Sequence, residues 1–300
     1  MSISSETQVP LSLPIIDFSS PDLKPETPEW DLVRSQVRKA LEEYGCFEAL
    51  FDGASMELRK AKLLEASKEV FDLPLETKQS TKTNIHYEGY LTIPIVPSQE
   101  GMGFYGVDNP NVVNDLTHKL WPQGNTFVSK NVQSFAEKLI ELSLKVRTMT
   151  LESFGLEKYM EEHLNSANKH FQILKYKGLS DDDTENGLEI KTKDGKEWIK
   201  VKPSQAASFI VMAGASLHVL LNGGIFPPLH RVITTGKKDR YSAGLFTIPK
   251  EGVIINAPEE MVDDEHPRLY KPFDFWGFLK FSNLPNARKD ISDLTTYCAL

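Results

Sequence analysis

Residues 187–192 (GLEIKT) and 197–202 (EWIKVK) alternate apolar and polar side chains at period two around Lys193-Asp194-Gly195-Lys196. Asp-Gly between two alternating runs is a strong hairpin signal, because glycine takes the positive φ that a tight turn between twisted strands requires. The hairpin sits in a series of short strand patterns: residues 170–176 (HFQILKY), residues 208–214 (SFIVMAG), the run around His230, residues 240–249 and residues 253–256. Many short strands separated by turn signals predict a sheet that rolls up on itself.

The first half reads as helical. In residues 30–44 the apolar positions Val33, Val37, Ala40, Leu41 and Tyr44 trace one helical stripe, and Gly45 follows where a helix ends. Residues 46–51 read as a strand. Residues 55–71 read as a second helix with Ser55 at its N-cap and Leu73-Pro74 as its stop. Residues 80–130 read as loop-rich. Residues 131–154 form the clearest helix, with Phe135, Leu139, Leu142, Val146 and Met149 on one side. A short helix is expected over 156–164 and a turn over 217–221. The fold class expected is α+β: a double-stranded β-helix, or jelly roll of cupin type, behind a helical N-terminal region. The division expected is residues 1–125 for that region and 126–300 for the support helix and roll.

The formal net charge of −8 argues against a nucleic-acid or anionic-membrane role. The two cysteines, Cys46 and Cys298, lie far apart without metal-ligand spacing, which fits a reducing compartment. Residues 1–12 have neither a basic start nor an apolar run, so no signal peptide is expected. No apolar run reaches the roughly 18 residues of a membrane span. A cytoplasmic, monomeric protein acting on a small molecule is the expectation.

Ten residues after His230 comes Arg240, then Tyr241 and Ser242. A histidine followed at this distance by Arg-x-Ser resembles the second half of the iron site in the plant Fe(II)/2-oxoglutarate dioxygenases. The order strand, helix, strand, helix, Leu-Pro in the first half is similar to the N-terminal region of the same family. The resemblance implies the cofactors Fe(II) and 2-oxoglutarate. It makes His230 a metal ligand, gives Arg240 and Ser242 the far carboxylate of 2-oxoglutarate, and turns Tyr176 toward that co-substrate. Arginine suits this task because its planar fork meets a carboxylate in two parallel hydrogen bonds. The segments GLEIKTKDGKEWIKVKPSQ, LLNGG, His230-Arg231-Val232, Arg240-Tyr241-Ser242 and APEEMVDDEHPRLYKPFDF resemble the Brassicaceae subfamily that modifies aliphatic glucosinolate side chains. That subfamily converts methylsulfinylalkyl glucosinolates to alkenyl or hydroxyalkyl forms.

One departure dominates. A non-haem iron oxygenase holds its metal with two histidines and a carboxylate, and the family supplies the first histidine and the carboxylate as His-x-Asp. None of the histidines at 86, 118, 163, 170, 218, 230 and 266 has aspartate two residues on. His86-Tyr87-Glu88 has the spacing with glutamate, but it precedes the strands. His170 lies on the strand before the site and reads as a core or surface histidine. The missing pair belongs between Tyr176 and Gly187, where only an acidic loop remains. Two strands of usual length with their turns would account for roughly 20 absent residues. The roll is therefore expected to lack two strands, which leaves unpaired edges, so that either neighbouring strands re-pair in a smaller sheet or the protein is marginally stable. Asp181, Asp182 and Asp183 could be substitute ligands, but an acidic run among Ser, Thr and Asn reads as a solvated loop. Gly101-Met102-Gly103-Phe104-Tyr105-Gly106 matches G-x-G-x-x-G without the strand-to-helix context of a dinucleotide site, and reads as a loop near the site mouth. Three readings follow: a catalytically silent family member, with no catalytic residue assigned; an active oxygenase with substitute ligands; and a non-catalytic carboxylate-binding relic.

Overall fold

The computed structural model describes residues 12–93, 96–178, 187–234, 236–284, 287 and 291–300. Strand β1 (Ile15–Asp17) is followed by helix α1 (Pro28–Glu43). Thr27 caps α1 by accepting from the Trp30 N–H, and Pro28 takes the first helical position, where its missing N–H leaves nothing unpaired. Trp30, Val33, Val37, Ala40 and Leu41 are its buried stripe. Gly45, at φ +70°, turns the chain into β2 (Cys46–Leu50). A Cβ at Gly45 would lie 1.9 Å from the Phe226 carbonyl oxygen, so both the turn and the close approach require glycine.

Helix α2 (Gly53–Phe71) begins after Asp52, so Ser55 lies inside the helix and not at its cap. Helix α3 (Leu75–Gln79), strands β3 (Gly89–Ile93) and β4 (Val96–Tyr105), and helix α4 (Pro110–Leu120) follow. The expectation of loops over 80–130 is therefore wrong, and Gly101 and Gly103 lie in a ten-residue strand. Glycines carry no side chain, so they erase the alternation by which a strand is read. The contacts explain them: a Cβ would lie 2.7 Å from the Leu174 side chain at Gly101 and 1.7 Å from the Tyr87 carbonyl oxygen at Gly103.

Helix α5 (Thr126–Ser153) buries Phe135, Leu139, Leu142, Val146 and Met149, the stripe expected of it. Helix α6 (Met160–Asn165) leads into β5 (Ala167–Tyr176). The hairpin is β6 (Gly187–Lys191) and β7 (Trp198–Lys200), antiparallel, with Gly195 at φ +72° in its loop. After β8 (Ser208–Met212) comes helix α7 (Ala215–Leu220), where a turn was expected; six residues are too few to show a helical period. Strands β9 (His230–Ile233), β10 (Arg240–Pro249), β11 (Ile254–Ile255) and β12 (Phe273–Asp274) and helices α8 (Phe275–Ser282) and α9 (Ile291–Cys298) complete the chain.

The strands form sheets in the orders β10-β5-β4-β3, β1-β2-β8, β7-β6-β9 and β11-β12. One apolar core ties helices to sheets, with Val37, Phe47, Phe104, Met149, Phe171 and Ile173 all buried in it. This is the α+β arrangement expected. Among the described residues, β8, β9 and β10 each pair on one side only. The strands on either side of the interval, β5 and β6, are each paired on both sides, β5 with β10 and β4 and β6 with β7 and β9.

Candidate functional site

Strands β5 and β10 pair antiparallel, with Arg240 opposite Tyr176, Ser242 opposite Leu174, Gly244 opposite Gln172 and Phe246 opposite His170. Side chains two apart on a strand share a face, so these residues form one surface. The other face of β5 packs on the support helix: Phe171 meets Phe135 with ring centroids 6.0 Å apart. The first surface lines a cavity of about 1120 Å³, together with His230 and Val232 of β9. The structure thus brings Tyr176, His230, Arg240 and Ser242 to a single cavity.

The Arg240 guanidinium carbon lies 5.2 Å from the centroid of the Tyr176 ring. Its Nη1 is buried and has no hydrogen-bond partner among the described residues. A buried guanidinium N–H without an acceptor costs free energy that a carboxylate oxygen would recover. With the Ser242 hydroxyl on the same face, the residues present fit a carboxylate.

They do not fit an iron ion. His230 is solvent-exposed. Its Nδ1 lies 3.1 Å from the Pro228 carbonyl oxygen. An Nδ1–H donated there leaves the Nε2 lone pair free for a metal. Yet among the described residues no group of three or more His, Cys, Asp or Glu side chains is placed to hold a metal ion. Asp181, Asp182 and Asp183 lie outside the described residues.

The other histidines have separate tasks. His170 is fully buried, and burial pushes its imidazole down to about 4, so it is neutral at pH 7. The Gln172 amide donates to its Nε2 at 2.7 Å, and Tyr87, Tyr105 and Phe246 surround its ring. It is a wall of the cavity. His218 is satisfied on both nitrogens, by the Ile225 carbonyl (2.6 Å) and the Tyr270 hydroxyl (2.8 Å). His163 is pushed down to about 3 by burial and by the Arg147 charge beside it. His86 stacks on Trp276, while Glu88 accepts from Thr83 at 2.8 Å. His118 and His266 bond to Asn114 and Asp263 on their own segments. The sequence reading did not name Gln172, Gly244 and Phe246 as cavity residues. Counting in twos from Tyr176 and Ser242 would have found them.

Residues 13–123 match the family described as non-haem dioxygenase in morphine synthesis N-terminal, and residues 158–249 match the 2OG-Fe(II) oxygenase superfamily. The chain is 46% identical to "Probable 2-oxoglutarate-dependent dioxygenase AOP1.2" of Arabidopsis thaliana, over 97% of each protein. That alignment runs over 320 positions but draws on 97% of 300 residues, about 291, so about 29 positions of the relative have no counterpart here. The chain is also 33% identical to "Probable inactive 2-oxoglutarate-dependent dioxygenase AOP2" of the same plant, over 97% of this chain and 98% of that one. In fold it matches a rice dioxygenase for auxin oxidation (TM-score 0.77, 22% identity, 96% of this chain and 100% of that one). It also matches JOX2, solved with 2OG, Fe and JA (TM-score 0.77, 22% identity, 97% and 90%). The chain belongs to the 2-oxoglutarate/Fe(II)-dependent dioxygenase family.

Proposed function

We propose that this chain is a family member that keeps the carboxylate-binding half of the active site and does not turn 2-oxoglutarate over. Arg240, Ser242 and Tyr176 hold the far carboxylate of 2-oxoglutarate, and His230 is the remaining member of the metal set. The observation that carries this reading is the buried, unpartnered Arg240 Nη1 beside Tyr176, in a cavity whose described residues offer no three-ligand cluster. Removing even a hydrogen-bond partner of a metal ligand costs about 10- to 100-fold in affinity or activity. The loss of two of three direct ligands costs more.

Similarity to the Arabidopsis AOP proteins and to the segments quoted above supports aliphatic glucosinolates as the substrate class from which the cavity derives. A monomeric, cytoplasmic protein, with residues 1–125 supporting and 126–300 carrying the pocket, belongs to the same proposal. No helix among the described residues is long and apolar enough to cross a membrane.

The test is an anaerobic Fe(II) titration, followed by an assay for succinate with 2-oxoglutarate and a methylsulfinylalkyl glucosinolate. The expected result is neither stoichiometric iron binding nor succinate. Tight 1:1 iron binding with succinate release would overturn the proposal. Loss of that activity on changing Asp181, Asp182 and Asp183 together to Ala would then assign the ligands to the acidic loop.

A further inference from the structure

Two sheets each end in a strand that lines the same cavity. Among the described residues, β8 pairs with β2 alone and β10 with β5 alone. Residues of β8 from Phe209 to Met212 and residues of β10 from Ser242 to Pro249 line the same space. Leu139, Leu142 and Val146 of the covering helix α5 border it, and so do Leu188 of β6 and Val232 of β9. In an unbroken layered fold, the sheet separates the helix on one face from side chains on the other.

The β8 sequence, SFIVM, points to the same gap. A continuous apolar run is the pattern of a strand covered on both faces and flanked on both sides. Here Phe209, Ile210 and Val211 are only half-buried, and Met212 is 36% exposed. On β10, Phe246 is 47% exposed.

We propose that the gap between β8 and β10 is a strand-acceptor site that takes one extended polypeptide segment in trans. The five residues of β8 set its length. Two rows of backbone N–H and C=O groups call for a ligand with donors and acceptors on both sides at strand spacing, which an extended peptide has. Its side chains alternate. Those facing Leu139, Leu142 and Val146 are apolar, and those on the other face are small or polar where they meet Ser242 and Arg240. The inference does not depend on 2-oxoglutarate binding at Arg240.

The probe is a synthetic peptide with the AOP1.2 sequence between the counterparts of Tyr176 and Gly187. Controls are a scrambled peptide and the same peptide N-methylated at alternate residues. Binding is followed by fluorescence titration and by amide hydrogen exchange of the full chain. The expected result is saturable binding, slowed exchange confined to residues 209–212 and 242–248, and no binding of either control. Met212→Lys, at an exposed edge position, keeps the fold and weakens binding at least about tenfold, because a charge at a strand edge opposes pairing. No binding, equal binding of a control, protection elsewhere, or unchanged affinity in Met212→Lys would each overturn the proposal. Concentration-dependent protection of the same amides in the protein alone would also overturn it, by showing that a second copy fills the gap.

Discussion

Replacing Arg240 with Ala separates a ligand-binding arginine from a structural one by the sign of two effects. Truncating one partner of a hydrogen-bonded charge pair costs about 2–5 kcal/mol. Arg240 is only half-buried, so the low end applies, a loss of roughly 30-fold in 2-oxoglutarate affinity. Without ligand the balance reverses. The Nη1 group is buried and unpartnered among the described residues, and removing such a donor relieves about 1–3 kcal/mol. Against this stands the contact with the Tyr176 ring at 5.2 Å, worth about 0.5–1 kcal/mol at such sites. The variant should therefore bind 2-oxoglutarate far more weakly and yet unfold in urea at the same or a higher midpoint. Arg240→Lys keeps the charge and loses the fork, so its affinity should fall between the two. Metal-free calorimetry with 2-oxoglutarate and urea unfolding of the ligand-free protein measure both quantities. Wild-type affinity in Arg240→Ala, or a destabilisation above about 1 kcal/mol, would refute the argument.

Three further outcomes are expected. Gly103→Ala puts a Cβ 1.7 Å from the Tyr87 carbonyl oxygen and should cost about 1–3 kcal/mol in urea unfolding; an unchanged midpoint would show that the 81–89 segment yields freely. Glu100 accepts from Lys78 Nζ (2.7 Å) and the Tyr90 hydroxyl (3.0 Å), and the Lys78 side chain is 7% exposed. Glu100→Ala therefore leaves a buried ammonium without its counter-charge, though still donating to the Phe71 carbonyl (2.8 Å), at a cost of about 3 kcal/mol, and a loss below about 1 kcal/mol would contradict the burial of the pair. His170 titrates near 4 in the folded chain and near 6.5 unfolded. The unfolded state binds the extra proton between these values, so stability is full above about pH 6.5 and falls as the pH drops toward 4, by about 3 kcal/mol from this residue. His170→Asn should flatten that part of the stability–pH curve, and an unaltered slope between pH 6.5 and 4 would count against the assignment.

Much of the site was legible before folding. The stripes of α1 and α5, the Asp194-Gly195 hairpin and the placing of Arg240 and Ser242 on one strand face follow from local periods of 3.6 and 2. The lack of a His-x-Asp pair is likewise a property of the residue order alone. Other features leave no local trace. Gly101 and Gly103 read as loop because a residue without a side chain carries no alternation. What demands glycine at position 103 is the Tyr87 carbonyl from another segment, while at Gly101 the Leu174 side chain lies close above the strand. Helix α7 is too short to display a period.

The residue order by itself determined the stripes of α1 and α5, the Asp194-Gly195 hairpin and which chemistry is missing, because periodicity, turns and ligand types are written within a few neighbours. Tertiary structure alone decided that Arg240 lies opposite Tyr176, since antiparallel register joins positions far apart in sequence. It also decided that β8 and β10, each the last strand of its sheet among the described residues, line one cavity. Whether an edge is filled depends on what the rest of the chain brings beside it, and hydrogen bonds across a sheet are made with residues that no local pattern identifies.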